Sequence, residues 1–123
     1  MFISWMVFVT SFSLFSFEGV QSSRFDIPHL DKLVHFTFYF GMVVTGSMAF
    51  VVGRVDQPKE TLIKWLLYIF IFAVLYGIVI EVIQYRFTVD RQGDPLDALA
   101  NSLGAFFGML LIRILFFKKL SLK

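Results

Sequence analysis

Three apolar stretches, each long enough to cross a bilayer as a helix, govern this chain: Leu33–Gly53, Leu62–Gln84 and Leu96–Phe117. A helix rises about 1.5 Å per residue and the hydrocarbon core is about 30 Å thick, so about 20 apolar residues suffice. None of the three shows the alternating pattern of a barrel strand. Composition agrees, with 58% hydrophobic and only 16% charged residues among 123. Soluble domains carry about 25% charged residues. A body this small has too little interior to hide so much apolar surface from water.

A shorter apolar stretch, Phe2–Phe17, precedes these. It has no basic start and ends in Phe17-Glu18-Gly19-Val20 instead of a small-x-small cleavage site, so it reads as a short or tilted spanning helix rather than a secretory signal, with Trp5 suited to the interface. The expected fold is all-α: a single domain over residues 1–123, an integral membrane bundle of four transmembrane helices at about 2–17, 33–53, 62–84 and 96–117. Pro28 marks the approach to the second helix, and Asp94-Pro95 places an N-cap and a first-turn proline at the start of the fourth.

Basic residues suggest the orientation. Arg54, Lys59 and Lys64 lie about the central connection, and Arg113, Lys118, Lys119 and Lys123 lie toward the C-terminus; Arg24, Lys32, Arg86 and Arg91 fall on the opposite side. By the positive-inside rule the N-terminus, the C-terminus and the central loop are cytoplasmic. The expected location is the bacterial cytoplasmic membrane, crossed several times. A net charge of +2 without a dense basic patch gives no basis for nucleic-acid binding. Cysteine is absent, which excludes disulfides and thiolate chemistry.

The few polar side chains recur at helical spacing. Asp31, His35 and Tyr39 share one face of the second helix; Gly77, Glu81 and Gln84 share one of the third. Asp94, Asp97 and Asn101 lie together on the fourth, and Gly104 and Gly108 extend their line. An ionisable side chain in mid-bilayer costs about 2.5–3.5 kcal/mol on insertion scales, so these stripes should face one another. Small residues favour close helix contact. Together these patterns predict a polar pocket where the second, third and fourth helices converge at their outer ends.

The same residues carry a resemblance. Asp31-Lys32-Leu33-Val34-His35-Phe36 with Tyr39, then Gly77-Ile78-Val79-Ile80-Glu81-Val82-Ile83-Gln84, then Arg91-Gln92-Gly93-Asp94-Pro95-Leu96-Asp97-Ala98-Leu99-Ala100-Asn101-Ser102-Leu103-Gly104 resemble, in order, three signatures of VanZ-like membrane proteins. That family is known as compact, mostly four-helix membrane proteins, and its founding member is associated with resistance to the glycopeptide teicoplanin. The resemblance implies a cell-envelope role. It does not define a reaction; a link to glycopeptide antibiotic resistance stays an expectation, with the envelope role the safer carry-over.

Each candidate has two readings. His35 is either a proton shuttle or metal ligand, or a ring bonded across helices to Glu81 or Asp97. Glu81 either takes part in chemistry or pairs with Arg86 or Arg91. Asp31 caps the second helix while Lys32 reaches for headgroups, or both join the pocket. Asp94 reads first as a cap. Asp97, past any need for capping, is the stronger pocket candidate. Gln84 and Asn101 read as interhelical amides, Tyr39 can reach either arrangement, and the Arg91 fork suits an anion or phosphate. Gly77, Gly104 and Gly108 are packing positions, and the last two serve the bundle interior or a second copy equally well.

The leading functional expectation is binding of a lipid-linked or glycopeptide-like ligand near the outer leaflet, with membrane lipids or a lipid-linked envelope precursor as partner. The alternatives are an enzyme acting on a lipid headgroup and a structural protein without a ligand. No His-Glu-x-x-His motif or local nucleophile arrangement specifies catalysis. No cofactor is expected; a divalent cation stays open, without a spacing motif to specify it. The apolar inner halves of the second and third helices speak against a transport path.

Overall fold

A computed structural model describes residues 1–14, 30–54, 56–87 and 95–121. Within them the chain forms α1 (Phe2–Leu14), α2 (Leu30–Phe50), α3 (Lys59–Phe87) and α4 (Pro95–Ser121), with a short 3-10 turn at Val52–Arg54. The protein is an all-α bundle, and α2, α3 and α4 are each long and apolar enough to span a membrane. The 13 residues of α1 reach only about 20 Å, less than the hydrocarbon thickness. The 29 residues of α3 reach about 43 Å, so this helix tilts or extends beyond the core.

Side-chain contacts fix the direction of each helix. The start of α1 meets the end of α2 through the Phe2–Phe50 rings, 5.8 Å apart. The end of α1 meets the end of α3, where the Gln84 amide donates to the Ser13 carbonyl. The start of α2 meets the start of α4 through His35 and Asn101. Successive helices therefore alternate in direction, as short connections favour. One end of the bundle gathers the end of α1, the start of α2, the end of α3 and the start of α4. The 3-10 turn lies at the other end, where Arg54 donates to the Phe50 carbonyl and its guanidinium lies 5.2 Å from the Trp65 ring centre.

The bundle is apolar on both sides of its wall. On α3, Leu62, Leu66, Ile69, Ala73, Gly77 and Ile80 face inward, while Leu67, Ile71, Leu75, Ile78 and Val82 are exposed. Both sets follow the helical repeat. An outward stripe this apolar would be a liability in water and is what acyl chains require. The chain is an integral membrane protein.

The tightest seam joins α2 to α4, the most extensive helix pair in the bundle. A Cβ at position 104 would overlap the Phe36 carbonyl oxygen, and one at 108 would lie 2.9 Å from the Phe40 carbonyl oxygen. The glycines let the α4 backbone rest against that of α2. Lipid tails are as apolar as leucine, so close packing, rather than a hydrophobic drive, holds such helices together. The sequence-derived packing role of Gly104 and Gly108 is thus met inside the chain.

Candidate functional site

The polar stripes converge at one end of the bundle. His35, Glu81 and Asp97, from α2, α3 and α4, are all buried, and one ligand-type atom from each lies within 4.8 Å of the others. His35 Nδ1 is 3.0 Å from Asn101 Oδ1 and 3.6 Å from Glu81 Oε1. Lys32 Nζ lies 3.5 Å from Asp97 Oδ1. Four side chains of both signs and one amide therefore share a recess walled by three helices.

Local structure explains each placement. Lys32, His35 and Tyr39 follow one another at three- and four-residue spacing on α2, and so line one face. Helical side chains slope toward their own N-terminus, which leans the Tyr39 ring back toward His35. Tyr39 is completely buried, and its hydroxyl has no hydrogen-bond partner among the described residues. Gly77 makes room for this layer: a Cβ there would lie 3.1 Å from Tyr39 Cε1 and 3.2 Å from Asn101 Nδ2. Pro95 opens α4, as its missing N–H and fixed φ favour.

Asp97 differs from its sequence expectation. Because α4 starts at Pro95, Asp97 stands in the first helical turn, where unsatisfied backbone N–H groups and the helix dipole favour a carboxylate. Its burial thus has local compensation in addition to Lys32. Lys32 correspondingly points to Asp97. On α2, Asp31 occupies the first turn of a helix that begins at Leu30, two positions too far in for an N-cap. Arg91 and Asp94 lie outside the described residues, as does the Asp31 side chain.

Gln84 extends the polar end toward α1 through its bond to the Ser13 carbonyl. The Gln84 amide bonds the Ser13 carbonyl across helices, and Asn101 Oδ1 meets His35 Nδ1, which also makes the approach to Glu81 expected of it. Three contacts of α1 escaped the sequence reading. Trp5 Nε1 donates to the Phe38 carbonyl at 2.9 Å, the Trp5 ring sits against Gly41, and the Thr10 and Tyr76 hydroxyls bond each other. The available signals were a tryptophan, a threonine and a tyrosine in apolar helices, each with a polar atom that needs a partner in hydrocarbon.

A cleft of about 360 Å³ opens beside the recess between α3 and α4, lined by Ile78, Glu81, Val82, Tyr85, Arg86, Pro95 and Ala98. Glu81 belongs to both the buried cluster and this cleft. Sequence reasoning placed Arg86 only as a partner for Glu81; the structure puts the two on one cleft wall.

Over residues 1–117 the chain matches the VanZ/LLP1 family. It belongs to that family. The match runs through every helix of the bundle, so the recess of this VanZ/LLP1 protein is formed entirely within the matched span. No curated protein and no solved structure matches the chain.

Proposed function

We propose that this VanZ/LLP1 protein is a cell-envelope component that binds a lipid-linked or glycopeptide-like ligand at the outer-leaflet end of its bundle. Glu81 carries the reading, because it belongs both to the buried polar recess and to the adjoining cleft. The apolar cleft residues Ile78, Val82 and Ala98 suit an acyl or polyprenyl chain. Arg86, at the cleft rim, supplies a planar fork for a phosphate or carboxylate. The recess behind it offers His35, Lys32 and Asn101 to the polar part of the ligand. Pockets of this kind combine apolar walls with a few convergent polar groups.

Native mass spectrometry and lipid analysis of the purified protein test this. Wild-type protein should carry a defined anionic lipid species, and Arg86→Ala and Glu81→Gln should accumulate normally yet lose it. Teicoplanin susceptibility of cells carrying the same variants gives the phenotype readout. Bulk membrane lipid alone on the wild-type protein would defeat the proposal. Loss of protein in step with loss of lipid would assign the cluster to folding.

A catalytic reading has one observation in its favour, the 3.6 Å approach of His35 Nδ1 to Glu81 Oε1, an imidazole beside a carboxylate as general acid–base chemistry uses them. It requires turnover of a lipid headgroup that disappears in both His35→Gln and Glu81→Gln.

A further inference from the structure

We infer that His35, Glu81 and Asp97 form a three-ligand site for one divalent transition-metal ion, of the Zn²⁺ or Mn²⁺ class. The inference rests on the geometry of the cluster and stands apart from the ligand reading above; either can fail without the other.

The donor set comes first. One imidazole and two carboxylates are a mixed nitrogen and oxygen set. Imidazole suits zinc and other later transition metals, while carboxylates suit zinc and manganese; calcium and magnesium favour oxygen alone. The three residues come from three different helices, so the ion would cross-link α2, α3 and α4 at one point.

The distances fit. Two ligands on a tetrahedron with bonds of about 2.1 Å lie about 3.4 Å apart. One ligand atom from each residue falls within 4.8 Å of the others, and His35 ligates through Nδ1 by exchanging its 3.0 Å contact with Asn101 Oδ1 for the ion. Closing the longest edge needs a shift of at most about 1.4 Å, within reach of carboxylate rotation. Three protein ligands leave a fourth position for water or a ligand atom, the pattern of open zinc sites. Glu81 also lines the cleft between α3 and α4, which would give that position access from outside the recess.

Electrostatics points the same way. Glu81 and Asp97 place two carboxylates in one buried recess, and Lys32 supplies a single ammonium beside Asp97. A divalent ion between the two carboxylates would turn their mutual repulsion into attraction, as metal ions do where they are the largest local charge.

A second, independent observation concerns the groups around the cluster. The Tyr39 hydroxyl and the Asn101 Nδ2 are fully buried and have no hydrogen-bond partner among the described residues. Buried polar atoms are nearly always satisfied. Both atoms belong to the layer that holds His35, and water molecules or a fourth ligand on a bound ion would give them partners. Outer groups of this kind orient metal ligands in known sites.

The test uses the full chain in lipid nanodiscs, stripped with chelator and then exposed to ZnCl₂ or MnCl₂ alone. Wild-type protein should retain about one equivalent of one ion by elemental analysis after desalting, and calorimetric titration should give a saturable isotherm. Glu81→Gln and Asp97→Asn keep side-chain shape and remove one charged ligand; each should weaken affinity at least tenfold while the metal-free thermal midpoint is unchanged or raised. Lys32→Met removes the competing ammonium and should tighten binding. Wild-type protein that takes up neither ion overturns the proposal, as does unchanged affinity in both carboxylate variants. If either carboxylate variant fails to fold, the Lys32→Met result decides: weaker or unchanged binding there also overturns it.

Discussion

Gly104 shows how much one side chain, or its lack, decides. The α4 backbone rests on the Phe36 carbonyl at that position, so an added methyl has nowhere to go. Gly104→Ala is expected to lower stability by about 1–3 kcal/mol, the usual range for overpacking a tight contact. Gly53→Ala is the matched control: nothing lies within 4 Å of a Cβ there, and the change should stay within about 0.5 kcal/mol. Thermal unfolding in one detergent, read by circular dichroism, compares the two. Asn101→Ala removes the amide that bonds His35 at 3.0 Å and should cost about 1 kcal/mol by the same measurement. An Asn101→Ala protein as stable as wild type would show that this bond does not hold the recess together.

The helices themselves were largely legible in advance, and the reasons for the differences are physical. Continuous apolarity located α2, α3 and α4, but helices extend past hydrocarbon into the headgroup layer, where charged residues are welcome. Thus α3 runs from Lys59 to Phe87 and α4 reaches Ser121, both beyond their apolar stretches, and α2 is shifted toward the chain start to Leu30–Phe50. Helical spacing likewise brought out His35, Glu81, Asp97 and Asn101, because hydrocarbon leaves buried charge few places to go. Spacing within one helix carries no information about contacts between helices of unlike pattern. That is why the Trp5–Phe38, Thr10–Tyr76 and Ser13–Gln84 bonds that dock α1 came only from the structure. Those bonds make α1 a separable element. Tyr76→Phe combined with Gln84→Leu should speed amide hydrogen exchange in α1 and leave α2 and α4 protected as before. Equal acceleration in all helices would mean that α1 and the bundle open as one unit.

For the whole molecule, alternating helix directions put the 3-10 turn and the buried cluster at opposite ends. The absence of native cysteine makes this directly testable. Gln57 and Phe87 are both exposed, one at each end. A Phe87→Cys protein should react with an impermeant maleimide on intact cells, and a Gln57→Cys protein only after permeabilisation. Labelling of both from one side would overturn the arrangement in the bilayer, and labelling with the sides reversed would overturn the orientation read from the basic residues.

The uneven placement of buried ionisable groups has a further result. His35, Glu81 and Asp97 all lie within six residues of a helix end, or about 3–9 Å deep along the helix axis. Between them and the opposite surface the bundle interior holds Met42, Val43, Ser47, Val51, Leu62, Leu66, Ile69, Ala73, Ala105 and Ile112, without an ionisable group among the described buried residues there. A layer of that kind is expected to resist the passage of ions, so cells carrying many copies should keep their proton gradient.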